Sequence, residues 1–157
     1  MYGGAPKPLQ LDLHTSIQQN ELISIPMNHF PRICTVIVLA HLVVAIVHGW
    51  AHQSLMIGLT TNQQLFIIIV IIAAPLVAMV LSWTQAANTS ATLLGLSMLG
   101  SLVFGVVNHY VIASPDHVSH LPGVPAALAF KVTAALLVIT EVLGCLAGWR
   151  ALQRLRD

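Results

Sequence analysis

The chain has 157 residues, 57% of them hydrophobic and only 7% charged, with a formal net charge of +1. An ordinary globular protein is about 25% charged, so six Lys/Arg and five Asp/Glu cannot wet the surface of a soluble fold. The near-neutral balance also excludes a nucleic-acid binder, which needs a basic stripe.

Residues 1–30 are polar and interrupted by Pro6, Pro8 and Pro26, with Pro31 just beyond. We expect a tail near the membrane surface, with a short interfacial helix over 11–25. The tail lacks the basic start and short apolar run of a secretory signal. Four apolar stretches follow, with spans expected at about 33–52, 65–83, 92–112 and 124–149. Each holds about 19 residues or more, which at about 1.5 Å per residue crosses a hydrocarbon core roughly 30 Å thick. Only helices satisfy backbone groups there in an open chain. The second stretch is therefore helical despite its run of Ile and Val, and Pro75 is expected to kink it and free the carbonyl of Ile71.

Basic residues set the orientation. Lys7 and Arg32 precede the first span, Arg150, Arg154 and Arg156 follow or end the last, and the three connecting loops carry no Lys or Arg. Four spans place both ends on one side, which the positive-inside bias makes cytoplasmic. The expected fold class is an all-α membrane protein. Its four transmembrane helices form an antiparallel bundle over 31–150, with a basic tail at 151–157 and both termini cytoplasmic, in a bacterial inner membrane. Trp50, Trp83 and Trp149 stand at span ends as interface anchors. Ser97, Ser101 and Gly105 on the third helix, and Gly144 and Gly148 on the fourth, recur every four residues, a spacing that lets membrane helices approach closely. Lys131, about two turns into the fourth span, is expected to snorkel outward.

Eight histidines are many for so apolar a chain. His41, His48 and His52 fall at i, i+7 and i+11, within about 40° of arc on one face of the first helix. His109 lies near the far end of the third helix, in line with Ser101 and Gly105. The following loop reads Ser-Pro-Asp-His-Val-Ser-His and carries Asp116, His117 and His120. The topology brings His48, His52, His109, Asp116, His117 and His120 to one extracytoplasmic end. His48 and His109 both stand roughly 22–26 Å above the inner boundary, so they can face each other; His41 and Glu141, both at about 12 Å, can also meet as a buried ionisable pair.

Three chemistries suit this arrangement. A zinc or copper ion takes three or four imidazole or carboxylate ligands. A b-type haem takes two imidazoles from facing helices, as His48 and His109 offer. A proton relay or quinone site strings ionisable groups through the membrane, as His52, His48, His41 and Glu141 would. No single spacing selects among them, and a purely structural hydrogen-bonding network satisfies the same residues. Two cysteines, Cys34 and Cys145, without CxxC or CxxCH, exclude a zinc ribbon, a thioredoxin-type site and covalent haem. Both stand near the inner face, where reducing conditions favour free thiols. No nucleophile–base set, phosphate loop or metalloprotease motif occurs, so independent catalysis is not expected. The expected partners are lipid and other membrane subunits or further copies of this chain. The alternative function is a structural or assembly subunit with no cofactor.

Overall fold

The structure, a computed structural model, describes residues 29–155. The expected tail helix over 11–25, with His14, Lys7 and Arg156, lies outside the described residues. Four helices are long and apolar enough to cross a membrane: α1 (His29–Ser54), α2 (Thr61–Ser82), α3 (Ala87–Val111) and α4 (Pro125–Arg154). Among the described residues there is no strand.

Each helix overlaps an expected span, and all four run past it by several residues at one end. Hydropathy sees only the apolar part of a helix, whereas backbone hydrogen bonding continues into polar flanks. Thr60 shows how. Its side chain accepts from Gln63 N while Gln63 Oε1 accepts from Thr60 N at 2.9 Å, a capping box that starts α2 four residues before its apolar run.

Two segments depart from α-helical winding, and each serves a histidine. In α2, Ile67–Ala73 is a π-helix that ends two residues before Pro75. A proline ring clashes with the carbonyl four residues back and offers it no N–H, so the Ile71 oxygen is left for another donor. His41 Nε2 reaches it at 3.3 Å. The carbonyl expected to be freed is thus used. The second π segment, Val107–Val111, ends α3 and carries His109. Such bulges inside helices often mark functional positions.

The sidedness is that of a membrane protein. Val36, Val43 and Ile46 on α1, Ile68 and Ile69 on α2, Leu96 and Val103 on α3, and Leu128 and Ile139 on α4 all face outward. Buried between the helices are His41, His48, His52, Ser97, Ser101, His109, Thr133 and Glu141. Water would favour the reverse arrangement; lipid favours this one. Lys131 is exposed, as expected. Trp50, Trp83 and Trp149 are exposed near helix ends. Cys34 and Cys145 are free thiols.

Small residues set how closely α3 and α4 approach. A Cβ on Gly148 would stand 2.7 Å from Ala91 O and 2.9 Å from Gly95 N, and one on Gly144 would stand 2.5 Å from Met98. No side chain fits at either place without moving backbone or core. Next to this seam lies the core of Cys34, Val38, Ala78, Leu94 and Met98.

Candidate metal centre

Three imidazoles meet where α1 and α3 end. One turn apart on the same face of α1, His48 and His52 project together, and the π segment of α3 turns His109 toward them. Ring centroids are 4.9 Å apart for His48–His52 and His48–His109, and 5.8 Å for His52–His109. Each ring offers a nitrogen, and the three nitrogens lie within 4.8 Å of one another, all on buried residues. Phe130 of α4 forms the apolar wall, its ring 4.5–5.0 Å from each imidazole. The loop after α3 folds over the site, held by Val118 N donating to His109 O at 3.0 Å.

Hydrogen bonds fix which nitrogens carry protons on two rings. Thr133 Oγ1 stands 2.7 Å from Ala129 O and 3.1 Å from Phe130 O, carbonyls of its own helix that can only accept. Its single hydrogen therefore points back along α4, and it accepts from His48 Nδ1 at 2.9 Å. Were Thr133 to donate to His48 instead, two oxygens would face each other at 2.7 Å with no hydrogen between them. His109 Nδ1 in turn donates to the Asp116 main-chain oxygen at 3.3 Å, with Oδ2 at 3.4 Å. Both rings carry their hydrogen on Nδ1. Their Nε2 atoms then face each other at 3.2 Å. Two bare lone pairs at that distance repel, so the contact needs either a proton shared between them as a hydrogen bond or a metal ion.

The third ring adds to this. Buried His52 Nδ1 has no hydrogen-bond partner, while its Nε2 lies 3.3 Å from Asp116 Oδ1. That contact is close but poorly aligned, since Oδ1 accepts no hydrogen bond of good geometry. Burial pushes the Asp116 carboxyl up, but the hydrogen bond from His109 and the imidazoles of His109, His52 and His48 outweigh it, so it sits below its ordinary value. An anionic carboxylate beside three imidazoles makes the site attractive to a cation.

The three imidazoles could hold a metal ion, with His52 closing in on the other two. With zinc–nitrogen bonds of about 2.0–2.1 Å, two ligands on a tetrahedron stand roughly 3.3 Å apart, close to the 3.2 Å observed between His48 and His109. The far nitrogens of metal-bound histidines usually donate to a carboxylate, carbonyl or hydroxyl that fixes the ring. Thr133 does this for His48, and the Asp116 main-chain oxygen does it for His109.

Of the other residues read as candidate ligands, Asp116 stands behind the rings of His52 and His109. His117 and His120 lie out on the loop, their centroids 5.0 Å apart, with His117 Nδ1 bonded to Ser119 and His120 Nδ1 to Ser114 O. They are not among the three grouped imidazoles. Sequence reading missed Thr133 and Phe130: a Thr or Phe in an apolar span carries no chemical signal until a partner stands opposite it.

The expected His41–Glu141 pair is not formed. His41 bonds Thr140 Oγ1 at 3.2 Å and Ile71 O, while buried Glu141 Oε2 has no partner. Depth was right to within one residue, but adjacent residues on a helix point about 100° apart. Thr140 therefore meets α1, and Glu141 meets α3. No family model, curated protein or solved structure matches this chain.

Proposed function

We propose that the protein binds one zinc or copper ion through His48, His52 and His109, and that it handles metal or transfers electrons at the outer face of a membrane. The convergence of three buried imidazoles, with the Nε2 atoms of His48 and His109 3.2 Å apart, carries this reading. Neutral imidazole suits zinc and copper better than it suits magnesium or calcium. Asp116 and Thr133 orient the ligands, and Phe130 keeps the inner side dry. A cleft of about 610 Å³ on the loop side, lined by residues including Gln63, Asn108 and His120, reaches Asp116 beside the imidazoles.

Haem b fits less well. Its macrocycle would have to lie between His48 and His109, whose rings touch, with Phe130 against both. A structural subunit without cofactor would need a proton shared between the two Nε2 atoms in place of the metal, so metal content separates the two readings.

The remaining parts of the reading concern topology and context. Pairing of His41 with Thr140 and His48 with Thr133 supports an antiparallel bundle, because numbers on α4 fall as those on α1 rise. Arg32, Arg150 and Arg154 on the terminal segments, against loops free of Lys and Arg, support cytoplasmic termini. We take the membrane to be the bacterial inner membrane. A four-helix wall is thin, which favours work inside a larger complex or homo-oligomer. Metal content decides the central point. Purified protein should hold one zinc or copper per chain, and His48→Ala or His109→Ala should lose most of it while His29→Ala keeps it. Equal content across all variants, or none in any, overturns the reading. Cysteines introduced at 114–122 should react with an impermeant maleimide outside intact cells; labelling only after lysis inverts the topology.

A further inference from the structure

Among the described residues, four buried side-chain polar atoms have no hydrogen-bond partner. Two, His52 Nδ1 and Asp116 Oδ1, belong to the histidine site. The other two, Ser101 Oγ and Glu141 Oε2, lie along the α3–α4 seam. Gly148 lies against Ala91 and Gly95, and Gly144 against Met98. Continuing that register by three residues brings Glu141 opposite Ser101. A Cβ on Gly105, one turn along α3, would lie 4.0 Å from Glu141 Oε2, which fixes the carboxyl on this face. Glu141 is 2% exposed and Ser101 0%.

A carboxylate buried in hydrocarbon is costly unless it is paired, bound to a cation or protonated. Among the described residues, the groups around Glu141 supply no positive charge. From α3 come Ser101 and Gly105, and from α4 Cys145, one turn along. The nearest imidazole in register, His41 on α1, is engaged by Thr140 and Ile71 O. Lys131, ten residues earlier on α4, points to the exposed face.

We infer that Glu141 and Ser101 form a second ligand site at mid-membrane, whose ligand is an exchangeable proton held as the carboxylic acid and bridged to the Ser101 hydroxyl through one water. The site stands independently of the metal reading. A single water with two or three polar partners is the ordinary way such facing groups are satisfied, and the small residues of the seam leave the carboxyl free to turn.

Infrared spectroscopy can see this proton, because the chain has only five Asp and Glu side chains. The full chain in lipid vesicles, washed with chelator, should show one protonated-carboxyl carbonyl band at neutral pH. That band should vanish in Glu141→Gln, move to lower frequency in D2O, and change position in Ser101→Ala. It should be the same in sodium-free and sodium-containing buffer. A missing band, or one lost on adding sodium, would mean an ionised carboxylate and overturn the proton. A band unmoved by D2O would overturn exchange, and one unmoved in Ser101→Ala would remove Ser101 from the site. The D2O arm uses the unmodified chain, so it stands even if a variant folds poorly.

Discussion

The histidine site and the Glu141–Ser101 region each hold two buried polar atoms without partners among the described residues, yet they are built in opposite ways. At the histidine site nearly everything else is fixed: Thr133 holds His48, the Asp116 main chain holds His109, and Phe130 packs on all three rings. At the Glu141 site nothing is fixed by hydrogen bonds, and the neighbours are small. Preorganised nitrogen ligands suit an ion that stays. A loosely held carboxyl and a hydroxyl suit a proton that exchanges. The contrast teaches that an unpartnered buried atom has to be read with the groups that surround it.

The largest effects should come from the fixed site. On the proposed metal reading, His48→Ala removes a ligand and should lose most of the bound metal. Thr133→Val, which leaves all three imidazoles in place, should weaken metal affinity about 10–100-fold, as loss of an orienting partner typically does. Asp116→Asn, which keeps the main-chain oxygen that holds His109 and removes only the carboxylate charge, should weaken it less. Competition titration with a chelating dye would measure this. If Thr133→Val binds as tightly as the parent, the orientation of His48 does not matter and the contrast collapses. Metal affinity should also fall as pH is lowered, because protons compete for the same imidazole nitrogens.

A middle-sized effect concerns the seam both regions depend on. Gly148→Ala drives a Cβ to 2.7 Å from Ala91 O, and overpacking of this kind costs about 1–3 kcal/mol. Thermal unfolding in detergent should show the loss, whereas Gly49→Ala, with open space around it, should not. Equal behaviour would mean that α3 and α4 do not meet as described.

The smallest effect is a near-zero. A double-mutant cycle between His41 and Glu141 should give coupling below about 0.5 kcal/mol, the range for groups without contact. His41 with Thr140 should couple by roughly 0.5–3 kcal/mol. Strong His41–Glu141 coupling would turn Glu141 away from Ser101 and remove the second site.

Much of this was legible in the sequence, for physical reasons that also mark its limits. Length and hydropathy located four spans because lipid imposes a minimum apolar run. Rise per residue gave depth, so His48 and His109, and Pro75 with the Ile71 carbonyl, were anticipated. Azimuth between helices was not legible. It depends on packing, here on Gly144 and Gly148 against α3, and one residue of rotation moved Glu141 from α1 to α3, beside Gly105. The loop histidines were grouped with the site because topology brings them to the same end. Whether His117 and His120 turn inward is decided by local hydrogen bonds with Ser119 and Ser114, which spacing does not reveal.

X-ray absorption spectroscopy of the metal-loaded protein tests the central claim most directly. Three imidazole nitrogens at about 2.0–2.1 Å from the metal, with one nitrogen lost in His109→Ala, is the result this account predicts. A shell of oxygen alone, a thiolate sulfur from Cys34 or Cys145, or a spectrum unchanged in His109→Ala would contradict it.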